Sequence, residues 1–183
     1  MKETVPKNKN RSSSILLIII STVLTLIFNT VRVNAQNSSS IYPRIAGHVG
    51  ILHPLITSSS NGTHTNFDGN YTVGMTIGIN IWKSSKIGFS MELVPFIKVE
   101  NGISRTNNIL IHPGILFALG KGFTFAGRAA FETSGRYGFT PLLNKVLVKR
   151  KHNTYFVAIP IPIRFGNSLP SSSTIGFLFG IGF

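Results

Sequence analysis

The chain has 183 residues, a length that suits one domain, with 43% hydrophobic residues, 18 glycines, 14 phenylalanines and no cysteine. The missing cysteine excludes disulfides, thiol redox chemistry and thiolate metal sites, and the apolar content excludes a disordered chain. Charged residues make up only 13%, yet 18 basic residues face 5 acidic ones for a net charge of +13, so the excess base must be located before it is read as a nucleic-acid footprint.

Part of it lies in a head segment. Lys2, Lys7, Lys9 and Arg11 precede an apolar run from Ile15 to Phe28, followed by Val33 and Ala35. A positive head, an apolar stretch and small residues at a cleavage point describe a secretory signal peptide. The expectation is a signal over 1–35, cut between Ala35 and Gln36, leaving a domain over 36–183. The run would span about 21 Å as a helix, short of a hydrocarbon core of about 30 Å. With no cysteine after the cut, a lipoprotein anchor is excluded. The remaining domain carries 13 basic and 4 acidic residues, net +9.

From there the chain alternates with a period of two. PRIAGHVGIL (Pro43–Leu52) sets Ile45, Gly47, Val49 and Ile51 against Arg44, Ala46, His48 and Gly50. YTVGMTIGINIW places Val73, Met75, Ile77, Ile79 and Ile81 opposite Thr72, Gly74, Thr76, Gly78 and Asn80. KIGFSMELVPFIKVE aligns Ile87, Phe89, Met91, Leu93, Pro95 and Ile97 against Gly88, Ser90, Glu92, Val94, Phe96, Lys98 and Glu100. NILIHPGILFALG sets Ile109, Ile111, Pro113, Ile115 and Phe117 against His112, Gly114 and Ala118. GFTFAGRAAFET opposes Phe123, Phe125 and Phe131 to Thr124, Arg128, Ala130 and Glu132. PLLNKVLVKRK (Pro141–Lys151) alternates poorly but is needed as a strand. YFVAIPIPIRF follows, with Ala158, Pro160, Pro162 and Arg164 on its second face. Last comes TIGFLFGIGF, with Ile175, Phe177, Phe179, Ile181 and Phe183 on one side.

These are eight strand segments, with short connections at 83–85, 120–122 and 152–153 and longer ones at 56–70, 101–107, 134–139 and 166–173. The pattern predicts an all-β fold, a closed antiparallel eight-stranded meander barrel. A soluble barrel would turn its bulky residues inward. Here the opposite faces are mostly Gly, Ala, Ser and Thr, which fit the narrow bore of eight strands, and strands of nine or so residues suit a bilayer. The bulky faces are therefore expected to meet lipid. Tyr42, Tyr71, Trp82, Tyr137 and Tyr155 fall near strand ends, as an interfacial girdle would.

In that orientation Arg44, His48, Glu92, Lys98, Glu100, His112, Arg128, Glu132 and Arg164 line the lumen or its rims. Charges in so narrow a bore need partners. Glu92 and Glu132 are the expected acidic centres, with Arg128, Arg164 and Arg44 as candidate partners, forming a structural ionic network that fills the bore. The histidines show no metal-ligand spacing, no catalytic residues are assigned, and no cofactor or metal is expected. Pro160 and Pro162, without ladder donors, predict a distorted pairing. The basic run Val148–His152 falls at the short-turn end, either as a plain solvated turn or where anionic lipid headgroups or a periplasmic surface could meet it.

The signal, the eight amphipathic strands and the Ile175–Phe183 ladder together resemble small bacterial outer-membrane barrels of the OmpA/OmpX-like class. The resemblance implies a cell outer membrane location, surrounding membrane lipids and lipopolysaccharide, and a C-terminal strand read by the barrel-assembly machinery during insertion. It implies a transmembrane β-barrel, a monomer with no nucleic-acid partner, whose loops could meet an unidentified extracellular ligand. A structural or surface-interaction role is expected; the alternatives are an enzyme acting on lipid A or phospholipid, and a narrow ion channel.

Overall fold

The computed structural model describes residues 42–183. The expected signal and the Ala35–Gln36 junction lie outside the described residues. The strands are β1 (Arg44–Ser59), β2 (Gly62–Thr65), β3 (Asn70–Trp82), β4 (Ile87–Glu100) and β5 (Ile103–Gly120). They continue with β6 (Phe123–Glu132), β7 (Tyr137–Lys149), β8 (Thr154–Pro160), β9 (Ile163–Phe165) and β10 (Ser172–Gly182).

β2 folds back on the end of β1 as a hairpin flap, Ile56 opposite Thr65. β8 and β9 form one interrupted stave, both pairing with β7 on one side and β10 on the other. Eight antiparallel staves remain, in meander order. β10 returns to β1, from His48 opposite Gly182 to Ser59 opposite Ser172, and the ring closes without a free edge.

Several strand ends differ from the expectation. Asn101 and Gly102, at φ of 50° and 74°, turn β4 directly into β5, so 103–107 is strand and not loop. An Asn-Gly pair with both residues at positive φ is the hairpin turn that matches strand twist. β7 starts at Tyr137, four residues before the expected boundary, because Tyr137–Phe139 pairs with β9. Its weak alternation has a cause near the strand's end: the register slips between Val146 and Val148, while Lys145 just before the slip is buried although it shares the register of Phe123 and Val157.

Prolines mark the ladder breaks. Regular pairing stops at Pro160 and resumes at Ile163, bridged by Ile161 N–H to Pro141 O at 2.9 Å. Pro95 keeps its place opposite Ile109, while the β3–β4 ladder skips from Gly74 to Ile77 beside it. Pro113 sits opposite Met91, and the β5–β6 ladder skips from Ile111 to Gly114. Each outward proline interrupts only one of its two ladders.

The two faces sort by size and charge. Outward stand Ile45, Val49, Ile51, Met75, Ile77, Ile79, Phe89, Leu93, Ile115, Phe131 and Phe179, each 40% exposed or more. Among the described residues no Asp or Glu interrupts this belt between the strand ends, and Lys145, in the outward register opposite Phe123, is buried near its short-turn edge. Inward, Leu52, Val94, Leu110, Leu142 and Leu178 form an apolar layer that fills much of the bore. This layer corrects the expectation of a lumen built mainly of small residues. Trp82 is corrected too: it packs against this inner cluster instead of joining an outer girdle.

Candidate functional site

The bore holds two ionic clusters. In the first, Glu92 on β4 is 2% exposed and accepts three charge-assisted or imidazole hydrogen bonds. Arg128 Nη1 on β6 donates to Oε1 at 2.7 Å and His112 Nδ1 on β5 donates to the same oxygen at 3.1 Å. His48 Nε2 on β1 donates to Oε2 at 3.0 Å, and Arg128 Nη2 also reaches Ser90 Oγ at 3.1 Å. One carboxylate thus ties four staves together.

Two of those bonds span an intervening strand, and glycine makes room for each. His48 passes over β3 at Gly78, where an added Cβ would collide with the imidazole and lie 2.9 Å from Met91 O. Arg128 passes over β5 at Gly114, where a Cβ would meet the Arg128 side chain and the Gly127 carbonyl at 2.6 Å. Backbone cannot give way, so Gly78→Ala and Gly114→Ala are each expected to cost about 1–3 kcal/mol by overpacking. Outward Gly127, with Phe125 Cε1 at 4.0 Å from its added Cβ, is the control. Urea midpoints of the three folded variants check this; equal midpoints would contradict it.

The second cluster lies toward the longer loops. Glu132 accepts from Arg164 Nε at 2.8 Å, Asn108 Nδ2 at 2.7 Å and Ser134 Oγ at 3.0 Å. Arg164 also donates to Thr140 Oγ1 at 3.1 Å and to the Phe139 carbonyl at 3.2 Å. Lys98 and Glu100 pair at 3.3 Å on the rim, both partly exposed.

Arg44, expected on the lumenal face or its rims and as a candidate partner of the acidic centres, is exposed at the first residue of β1 and pairs with neither Glu92 nor Glu132. Two further cations fasten the ends of the barrel. Arg136 fastens the loop before β10 by donating to Pro170 O at 2.9 Å and Ser172 Oγ at 3.2 Å. Lys145 closes the short-turn end, donating to Lys121 O at 2.8 Å with its ammonium 4.1 Å from the Phe123 ring centre. Neither carries a readable signal: Arg136 lies in a turn, and Lys145 is buried although it shares the register of outward Leu143 and of Val157. Ile175, Phe177, Phe179 and Phe183 face outward along β10, with Ile181 half-buried.

Between the clusters, a cavity of about 20 Å³ is bordered by Glu92, His112, Arg128, Thr140 and Arg164. That volume suits a single water and no hydrated ion. Ser90, His48, His112 and Glu92 bring hydroxyl, imidazole and carboxylate together, but each is at most 5% exposed, so the group is sealed from a substrate. At the loop end a wider vestibule of about 370 Å³ is lined by Asn66, Asp68, Asn70, Asn107, Asn108 and Arg136 among others. Leu52, Phe96, Pro162 and Arg164 border both spaces and form the partition.

No family model matches the chain, and no curated protein matches it. It is similar to a designed transmembrane β-barrel at 10% identity, covering 78% of this chain and 97% of that one, with a TM-score of 0.44. It is also similar to the outer membrane protein OprG from Pseudomonas aeruginosa at 10% identity, covering 75% and 92%, with a TM-score of 0.35. Both scores fall below 0.5, so the functional reading rests on the barrel's own geometry.

Proposed function

We propose that the chain is an integral outer-membrane β-barrel whose side-chain-filled bore conducts nothing and whose longer loops carry a structural or surface-interaction role. The observation that carries this reading is the sorting of its faces. Large aliphatic and phenyl side chains surround a closed ring, while the carboxylates and guanidiniums of the bore are bonded to one another inside. In water so continuous an apolar surface would drive aggregation. In a bilayer it meets acyl chains, and closure of β10 onto β1 removes the unpaired sheet edge that lipid could not satisfy.

The sealed bore supports a non-conducting role. Two ionic clusters and the leucine layer leave about 20 Å³ between them, far from the aqueous lumen of a wide porin. The vestibule at the loop end offers a polar concavity for a contact from outside. The test has two arms. Purified protein refolded into vesicles should migrate differently on a gel before and after boiling. The same preparation in planar bilayers should give no discrete conductance steps, and regular steps would overturn the sealed-bore reading.

A further inference from the structure

The basic residues are not shared evenly between the two ends of the barrel. Every hairpin turn at the short-turn end carries exposed cations: Lys83 and Lys86 between β3 and β4, Lys121 between β5 and β6, and Lys149, Arg150 and Lys151 around the β7–β8 turn. Arg44, opposite Trp82 at the start of β1, adds one more beside the seam where the ring closes. The acidic residues of the described chain are Asp68, Glu92, Glu100 and Glu132. None stands at this end: Glu92 is buried mid-bore and the other three lie toward the longer loops, among Lys98, Arg105, Arg136 and Arg164. The net charge of the domain is therefore almost wholly the charge of its short-turn rim.

We infer that this rim is a docking ring for the phosphates of anionic glycerophospholipids in the leaflet that surrounds the short-turn end. Three features of the ring point to that partner. The cations belong to all three turns and to the first strand, so they encircle the mouth. A headgroup layer surrounds a barrel in the same way, whereas a soluble acidic partner would favour one side. They sit where the apolar belt ends, beside Ile45 and Phe183, 68% and 65% exposed, and so at the depth where headgroups begin. They are also unspent: among the described residues none of these seven side chains forms an ion pair, whereas Arg128 and Arg164 are bonded to carboxylates. Lysines and arginines on short turns keep long, mobile stems that can reach down to the interface. Each basic group near an anionic surface favours it by about a fivefold population ratio.

This inference rests on the bilayer reading above, and the experiment separates the two. Folded protein is incorporated into phosphatidylcholine vesicles with spin-labelled phosphatidylglycerol or spin-labelled phosphatidylcholine as a trace, and the motionally restricted fraction of each label is measured. The expected result is a preference of about threefold to fivefold for phosphatidylglycerol at low salt, falling toward unity in 0.5 M salt as the Debye length shrinks to a few ångströms. The combined variant Lys83→Gln, Lys86→Gln, Lys149→Gln, Arg150→Gln and Lys151→Gln should fold, judged by its heat-shifted gel band, and lose the preference. Arg105→Gln, at the opposite end, should keep it. Equal restriction of both labels by the unaltered protein, or a preference that survives in the five-site variant, overturns the docking ring alone. A chain that does not incorporate into vesicles overturns the bilayer reading and this inference together.

Discussion

Replacing Glu92 with alanine is expected to lower the stability of the folded barrel by about 3–5 kcal/mol, the cost of leaving a buried cation without its partner. Glu92 is the common acceptor for Arg128, His112 and His48. Without it, the Arg128 guanidinium, 6% exposed, keeps only the Ser90 hydroxyl as a side-chain partner. The leucine layer cannot solvate it. The loss arises from the stranded charge more than from the ion pair's net worth, because desolvating both partners offsets much of their attraction. Removing both charges, as Glu92→Leu with Arg128→Leu, should therefore recover most of the stability. The rim pair behaves differently: Glu100 is partly exposed, and Glu100→Ala should cost at most about 1 kcal/mol. Urea titrations of the folded band in vesicles measure all three. A cost below about 1 kcal/mol for Glu92→Ala would mean that the cluster is solvated and the bore is open.

A single arginine on the outward belt should be almost as damaging, with a dependence on depth that water cannot reproduce. Ile77 lies midway along β3, half exposed, opposite Leu93 of β4. Ile77→Arg is expected to destabilise the barrel by about 2–4 kcal/mol, the cost of a cation at the bilayer midplane of a barrel's lipid face. Ile45 is more exposed still, at 68%, but it stands one residue from the strand's end. Ile45→Arg should cost about 0–1 kcal/mol, since the guanidinium reaches the interface. A water-facing surface would rank these two substitutions by exposure alone and would tolerate both. Measured in the same vesicles, equal small effects at both positions would contradict a lipid-facing belt.

The barrel was legible because its strands alternate cleanly wherever the ladder is regular. In β4 from Ile87 to Val94 and in β6 from Phe125 to Ala130, exposed outward residues alternate with buried inward ones, and the small residues of the second face announce a narrow bore. Legibility failed where a local device breaks parity. The bulge after Val146 hides the period at the end of β7, and the flap β2 carries no hydrophobic signal because its four exposed residues include no apolar side chain. The Asn101–Gly102 turn does carry one, since Asn-Gly is a strong hairpin cue, but the polar residues that follow it lack the apolar alternation that would mark 103–107 as strand. For the ionic clusters, inward parity placed Glu92, Arg128, Glu132 and Arg164 on one face. Which base meets which acid depends on shear around the ring, and strand parity alone does not reveal it. Arg44 shares that parity but sits at the end of β1, beyond the reach of either carboxylate. The inner leucine layer was underestimated for a related reason: Leu52, Leu110, Leu142 and Leu178 are spread over four strands and gather only when the barrel closes.

The direction of the bulky face is the claim on which the account stands, and it can be measured site by site. The chain has no native cysteine, so single cysteines at Ile77, Ile79, Phe89 and Leu93 would carry the only spin labels in vesicle-embedded protein. Collision with oxygen, which concentrates in acyl chains, is compared with collision with a water-soluble nickel chelate. The account predicts mobile labels with frequent oxygen collisions and scarce nickel collisions at all four positions. Immobile labels reached by neither reagent would place these side chains in a packed core, and frequent nickel collisions would place them in water; either result contradicts the account.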